Sequence, residues 1–174
     1  MNYATIKKTD VANGPGIRVS LFVSGCTHGC KGCFNQEAWD FAYGQEFTPD
    51  TMEEILKALS PSYIRGLSVL GGEPLEPQNR KQVLQILRTV KEFYPDKDIW
   101  CYTGYTYETD LCKWIEEGDE GTAEILSLLN VLVDGEFVEE RKNLKLKFRG
   151  SENQRLIDVP ATLSCGKIVT LSET

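Results

Sequence analysis

Short β-rich runs alternating with helical segments predict an α/β fold built on a mostly parallel sheet. Two observations carry that expectation. Residues 17–23, 67–70, 99–102 and 131–133 are apolar, β-branched or aromatic runs, and the stretches between the later ones space their apolar residues at helical period. Each run also stops at a glycine or polar residue, and the chain's most distinctive motifs follow at those stops. In parallel sheets ligands collect outside the carboxyl ends of the strands, so these motifs are expected to share one rim.

The elements follow in order. Tyr3-Ala4-Thr5-Ile6 opens the sheet, and Ile17 to Val23 delivers the chain to a cysteine-bearing loop. After Thr48-Pro49-Asp50 a helix begins, with Met52, Ile55, Leu56 and Leu59 on one stripe and Pro61 marking its end. Residues 67–70 make a buried strand ended by Gly71-Gly72, and a longer helix follows Pro77 with Val83, Ile86, Leu87 and Val90 at the same spacing. Residues 99–102 form a strand ending at Thr103-Gly104. Leu111, Trp114 and Ile115 make a short amphipathic stripe, a helical stretch runs from Ile125 to Leu129, and residues 131–133 stop at Asp134-Gly135. No repeat, low-complexity segment or linker divides the chain.

The composition bounds the function. The chain has 174 residues, enough for one domain with a real core. A net charge of −7 argues against nucleic acid or an anionic membrane as partner. No apolar run approaches membrane-spanning length, and the N-terminus lacks the order of a signal peptide, so a cytoplasmic location is expected. Six cysteines without a secretion signal point to metal or redox chemistry rather than a disulfide framework. Cys101, Cys112 and Cys165 are scattered and read as structural thiols.

The other three cysteines are concentrated. Cys26, Cys30 and Cys33 fall at steps of four and three, which a helix would also align, but Gly25, Gly29 and Gly32 favour a loop bending closely around something. A loop gathering three thiols suits a soft metal or an iron–sulfur cluster. Three thiolates on a four-iron cubane leave one iron open to a substrate. Gly71 and Gly72 would let backbone approach a small ligand, with Glu73 and Pro74 stiffening the turn.

Cys26-x-x-x-Cys30-x-x-Cys33-Phe34 resembles the signature of radical S-adenosylmethionine enzymes, and Gly71-Gly72-Glu73-Pro74 resembles their second motif. Asn13-Gly14-Pro15-Gly16-Ile17-Arg18, Tyr102-Thr103-Gly104-Tyr105, residues 131–135 and Phe148-Arg149-Gly150-Ser151-x-Asn153-Gln154-Arg155 narrow the resemblance to the family that activates anaerobic ribonucleoside-triphosphate reductases. The resemblance runs from about residue 3 to Arg155 and implies a radical-enzyme core over 1–155, a partial (β/α) barrel, with a tail of unassigned role over 156–174. It implies Cys26, Cys30 and Cys33 as ligands of a [4Fe-4S] cluster. It also implies S-adenosylmethionine contacts from Gly32, Cys33 and Phe34 on the adenine side and from Gly71, Gly72, Glu73 and Pro74 at the methionine end. Thr103 and Asp134 are further candidates for that pocket. The implied partners are the large reductase subunit, whose glycine becomes a radical, and a one-electron donor such as flavodoxin or ferredoxin. No side chain is implied as acid or base.

Each reading has a plainer rival. A structural zinc could take Cys26, Cys30, Cys33 and His28, although zinc loops usually draw ligands from two separated pairs. A simple electron-transfer protein, or a radical enzyme acting on another glycyl-radical protein or on a small molecule such as a deazapurine precursor, is also compatible. His28 is expected to occupy the loop surface, and Asp134 is either a ligand or a solvated strand-end carboxylate. Trp39, Trp100 and Trp114 are assigned to core or partner surface.

Overall fold

A computed structural model describes residues 1–172. The order of elements is β1 (Asn2–Asp10), β2 (Ile17–Val23), β3 (Gln45–Glu46), α1 (Pro49–Leu59), β4 (Ile64–Gly71), α2 (Pro77–Phe93), β5 (Asp98–Tyr102), α3 (Cys112–Glu116), α4 (Glu120–Leu128), β6 (Val131–Asp134), β7 (Arg155–Asp158) and α5 (Val159–Cys165). They build one seven-stranded sheet in the order β3-β1-β2-β4-β5-β6-β7. The central β2, β4, β5 and β6 are parallel, and the flanking strands run antiparallel. This is the expected α/β architecture, with the carboxyl ends of four parallel strands on one rim. Among the described residues, no helix is long and apolar enough to cross a membrane.

Local chemistry sets the helix starts. Thr48 accepts from the Thr51 backbone N–H, Thr51 returns a bond to the Thr48 N–H, and Pro49 occupies the first turn. Ile55 and Leu59 are then buried on the stripe that the spacing predicts. Pro77 likewise occupies the first turn of α2, here without a side-chain cap, and Val83, Leu84, Ile86, Leu87 and Val90 face the core. The stripe of Leu111, Trp114 and Ile115 begins in a π-helical turn, Tyr107–Leu111, before α3.

The segment beyond Arg155 joins the same sheet. β7 pairs with β6 over four residues, from Val131 opposite Asp158 to Asp134 opposite Arg155. Asp158 caps α5 by accepting from the Ala161 N–H, and Gly166 ends that helix in the left-handed region. The chain then returns to β7, with Leu171 N–H donating to the Leu156 carbonyl. The last two positions of the tail, 173 and 174, lie outside the described residues.

Pleat alternation gives the sheet two different faces. Val19, Leu21, Val23, Leu67, Val69, Ile99, Cys101, Leu132 and Ile157 pack with the helices in the main core. The opposite face carries a smaller cluster of Trp100, Val131, Val133 and Leu156, with Tyr102 and Phe148 against it, and no helix residue takes part. Trp100 thus belongs to this second core.

Arg18 organises that second face. It is fully buried, forms a 2.6 Å ion pair with Asp98, and donates to the Ser68 hydroxyl and the carbonyls of Leu67 and Pro15. Its guanidinium also stands over the Trp100 ring at 5.6 Å. At Gly14, with φ +134°, an added Cβ would lie 2.7 Å from Arg18 Nε, so the Gly14-Pro15-Gly16 turn wraps the guanidinium. Replacing Arg18 by Met strands Asp98 and several buried acceptors. The expected loss is about 3–5 kcal/mol in a urea titration. Asp98→Asn should cost less, because that carboxylate is 20% exposed and also has Arg65 as partner.

Candidate metal and cofactor site

The cysteine loop leaves β2 at Val23 and is pinned by backbone hydrogen bonds before the first cysteine is reached. Gly25 N–H donates to the Ala38 carbonyl at 2.7 Å and Cys26 N–H to Trp39 at 3.1 Å. From the neighbouring strand end, Gly72 N–H donates to Val23 and Glu73 N–H to Gly25, both at 2.8 Å. The Glu76 carboxylate accepts from the N–H and hydroxyl of Thr27, and the Asn79 amide ties the Ser24 and Glu73 carbonyls together. Gly29 and Gly32 turn the loop in the left-handed region.

The result is a convergence of thiols. Cys26, Cys30 and Cys33 are half-buried and line one cavity of about 400 Å³ that also reaches Gly71, Gly72 and Thr103. Burial pushes the Cys26 thiol up to about 12, with the Glu73, Cys30 and Glu76 charges adding to it. Burial likewise raises Cys30, helped by the Glu136 charge. Thiols in such surroundings ionise when a cationic guest compensates them.

Beneath the cavity sits Glu73, with no exposed surface. Its carboxylate accepts from the Thr103 hydroxyl at 2.9 and 3.0 Å, Gly104 N–H at 2.6 Å and Leu75 N–H at 2.7 Å. His28 Nε2 stands 2.8 Å from the same carboxylate and Nδ1 3.1 Å from Glu136. His28 is therefore not a surface residue of the loop: its side chain is 8% exposed and its ring packs edge-on against Tyr105 at 4.5 Å. Burial alone would lower its pKa, but the bond and charge of Glu73 outweigh that and raise it. Sequence offers no signal for this, because Glu73 and Glu136 lie far along the chain.

The sequence profile of the 4Fe-4S single cluster domain family matches residues 12–157. The chain is 45% identical over 158 residues to the anaerobic ribonucleoside-triphosphate reductase-activating protein of Enterobacteria phage T4, covering 90% of this chain and 93% of that protein. The proteins of that name from Vibrio cholerae serotype O1 and Escherichia coli K12 are 44% and 40% identical, each over 88% of this chain and 96% of the relative. This chain belongs to the family of anaerobic ribonucleoside-triphosphate reductase-activating proteins.

Within this activating protein the sequence candidates separate by position. Cys26, Cys30, Cys33, Phe34, Gly71, Gly72 and Thr103 line the cysteine cavity. Phe34 is 69% exposed and its ring lies 5.8 Å from Phe137. Gly32, Glu73 and Pro74 are not among the residues lining that cavity; Glu73 faces inward and Pro74 is buried. The Thr103 hydroxyl is directed to Glu73. Asp134 is 1% exposed, so the solvated-carboxylate reading fails. It accepts from Arg155 at 2.5 and 2.9 Å and from Tyr107 N–H at 2.9 Å. It lines a neighbouring cavity of about 590 Å³ instead, together with His28, Glu136, Asn153 and Arg155.

Other wall residues escaped the sequence reading as site residues: Asn13, Trp39, Leu146 and Gln154 all line the cysteine cavity. The Gln154 side chain accepts from the Gly150 and Ser151 N–H groups and donates to the Gly135 carbonyl, so the Gly-Ser-x-Asn-Gln-Arg segment secures the loop after β6. The signal for it was that segment itself, legible only as a family marker.

The two glycines also acquire a different reason. An added Cβ at Gly72 would lie 2.7 Å from the Gly25 carbonyl oxygen and 2.8 Å from that of Ala38; at Gly71, with φ +119°, it would lie 2.4 Å from the Val23 nitrogen. Their small size is needed first to let the cysteine loop cross the strand end. Gly72→Val should therefore displace the loop and lower iron per chain after anaerobic reconstitution, as well as weakening cofactor binding. Iron and sulfide analysis beside a cofactor titration checks this; full iron loading with weak cofactor binding would show a side chain filling only the cofactor's path.

Proposed function

We propose that Cys26, Cys30 and Cys33 hold three irons of the [4Fe-4S] cluster, leaving the fourth to S-adenosylmethionine, and that the chain thereby activates the large anaerobic ribonucleoside-triphosphate reductase. The observation that carries the reading is a cavity with three thiols in its wall and, among the described residues, no fourth side-chain ligand free to close the set. Both nitrogens of His28 face carboxylates. Cys26, His28 and Glu76 do present ligand atoms within 4.8 Å of one another, but Glu76 is already engaged by Thr27. Those contacts disfavour a closed zinc site, whose ligands must be free to turn inward.

When bound, the cluster and S-adenosylmethionine would supply one-electron radical chemistry toward a glycine of the reductase, with the electron coming from an external donor. The chain's own residues position and shield rather than transfer protons. Phe34 and Cys33 form the adenine side of the pocket, with Gly32 shaping the turn before them. Gly71 and Gly72 form the methionine side, held in place by the inward carboxylate of Glu73 and by Pro74. Thr103 acts through Glu73. Asp134 acts through Arg155 and the turn before α3 rather than on the cofactor.

We assign the electron to a small one-electron donor such as flavodoxin or ferredoxin, and the protein to the cytoplasm, where six free cysteines and a thiolate-bound cluster suit reducing conditions. Residues 1–155 carry the chemistry, and among the described residues 156–172 complete the edge of the sheet.

The test is anaerobic. Reduced, reconstituted protein mixed with the large reductase and S-adenosylmethionine should give the doublet of a glycine-centred radical by electron paramagnetic resonance. A stable zinc complex, or a cluster that never cleaves S-adenosylmethionine, refutes the reading. Cys30→Ala should abolish cluster absorbance while leaving the thermal melt nearly unchanged, because the loop lies on the rim and outside both hydrophobic clusters.

A further inference from the structure

The most exposed large apolar side chains belong to segments that line the cysteine cavity. Val11, Phe34 and Leu144 are 68%, 69% and 87% exposed, more than any other large apolar residue described. Phe34 lines the cysteine cavity, Val11 precedes the lining residue Ala12, and Leu144 lies two positions before the lining residue Leu146. Phe34 stands exposed in the cavity wall, and Val11 and Leu144 are exposed on segments that line it; apolar side chains left in water on such segments mark a surface that another protein covers.

The charge of the same region runs against the rest of the chain. Between Val138 and Gly150 the sequence carries Arg141, Lys142, Lys145, Lys147 and Arg149 against Glu139 and Glu140, in a protein of net charge −7. Arg141, Lys142, Lys145 and Lys147 are exposed, and among the described residues none of these four pairs with a carboxylate. Lys142 stands over the Phe34 ring at 5.0 Å, which joins the basic loop to the cysteine loop. Phe148 and Arg149, at the end of the same loop, line the cavity wall.

We propose that the loop from Val138 to Gly150, with Val11 and Phe34, is the docking surface for the glycine-bearing segment of the reductase, and that the docked face of this segment is acidic around an apolar contact for Leu144. This rests on the activase reading above. A glycine that must reach the cavity brings its flanking residues against the segments that line it, and those segments carry the exposed basic and apolar side chains. Electrostatic attraction would steer the partner, and the three apolar side chains would supply the contact that desolvates the opening. A small electron donor is the weaker occupant, since electron-transfer encounters are small contacts and do not require entry into the cavity.

The experiment uses the full-length reconstituted protein, the large reductase, and either dithionite or flavodoxin as reductant. The combined variant Leu144→Ser, Lys145→Glu, Lys147→Glu should bind the reductase about tenfold more weakly or worse and yield correspondingly less glycine radical. Its S-adenosylmethionine cleavage under dithionite and its melting temperature should match the unaltered protein, and unaltered binding should weaken as salt rises. Undiminished affinity for the reductase overturns the proposal. So does loss of flavodoxin-driven cleavage with reductase binding intact, which would give the surface to the donor. Loss of self-association with reductase binding intact overturns it too, giving the surface to a second copy of the chain. If the unaltered protein fails to cleave S-adenosylmethionine under dithionite, the activase reading itself falls, and this surface with it.

Discussion

One buried carboxylate holds the rim together. Glu73 leaves the end of β4, yet its oxygens receive the N–H of Leu75 and Gly104, the hydroxyl of Thr103 and the ring of His28. Those groups belong to the exits of β4 and β5 and to the cysteine loop. A carboxylate stripped of water needs several donors, and Glu73 receives four. The strand ends are thereby locked at a fixed separation, and the three thiols inherit their positions from that lock.

The sheet itself is divided by chemistry. Its helix-covered face holds the main hydrophobic cluster, while the other carries Arg18, Ser20, Ser68, Trp100 and Tyr102. A fully buried guanidinium on that face is tolerable because the Gly14-Pro15-Gly16 turn, Ser68 and Asp98 saturate it. The same face leads upward to the cysteine cavity, so it acts as the floor of a half-open barrel. Loops and not helices cover it, which leaves room for a ligand at the strand ends.

Much of this was legible beforehand, and the residues say why. The start of α1 and its stripe follow from Thr48, Pro49, Ile55 and Leu59, all local signals. β4 begins at Ile64, three residues before the apolar run suggests, because Gly66 interrupts the pattern. That glycine is required: an added Cβ would lie 2.1 Å from the Asp98 carbonyl oxygen of the next strand. β7 was invisible because four residues become a strand only by pairing with β6. The burial of His28 has no local signal because its two partners stand 45 and 108 residues away.

Sequence by itself determined the alternation of strands and helices, the rim on which the motifs would meet, and the three thiols spaced for a cluster. These are matters of period, turn chemistry and ligand type, which a short window of residues contains. Only the tertiary structure decided that Glu73 turns inward, that Asp134 belongs to Arg155, that Gly71 and Gly72 make way for backbone, and that Lys142 stands over the Phe34 ring. Each of those depends on which distant segments come within a few ångströms of each other, a distance that folding sets and no local pattern encodes.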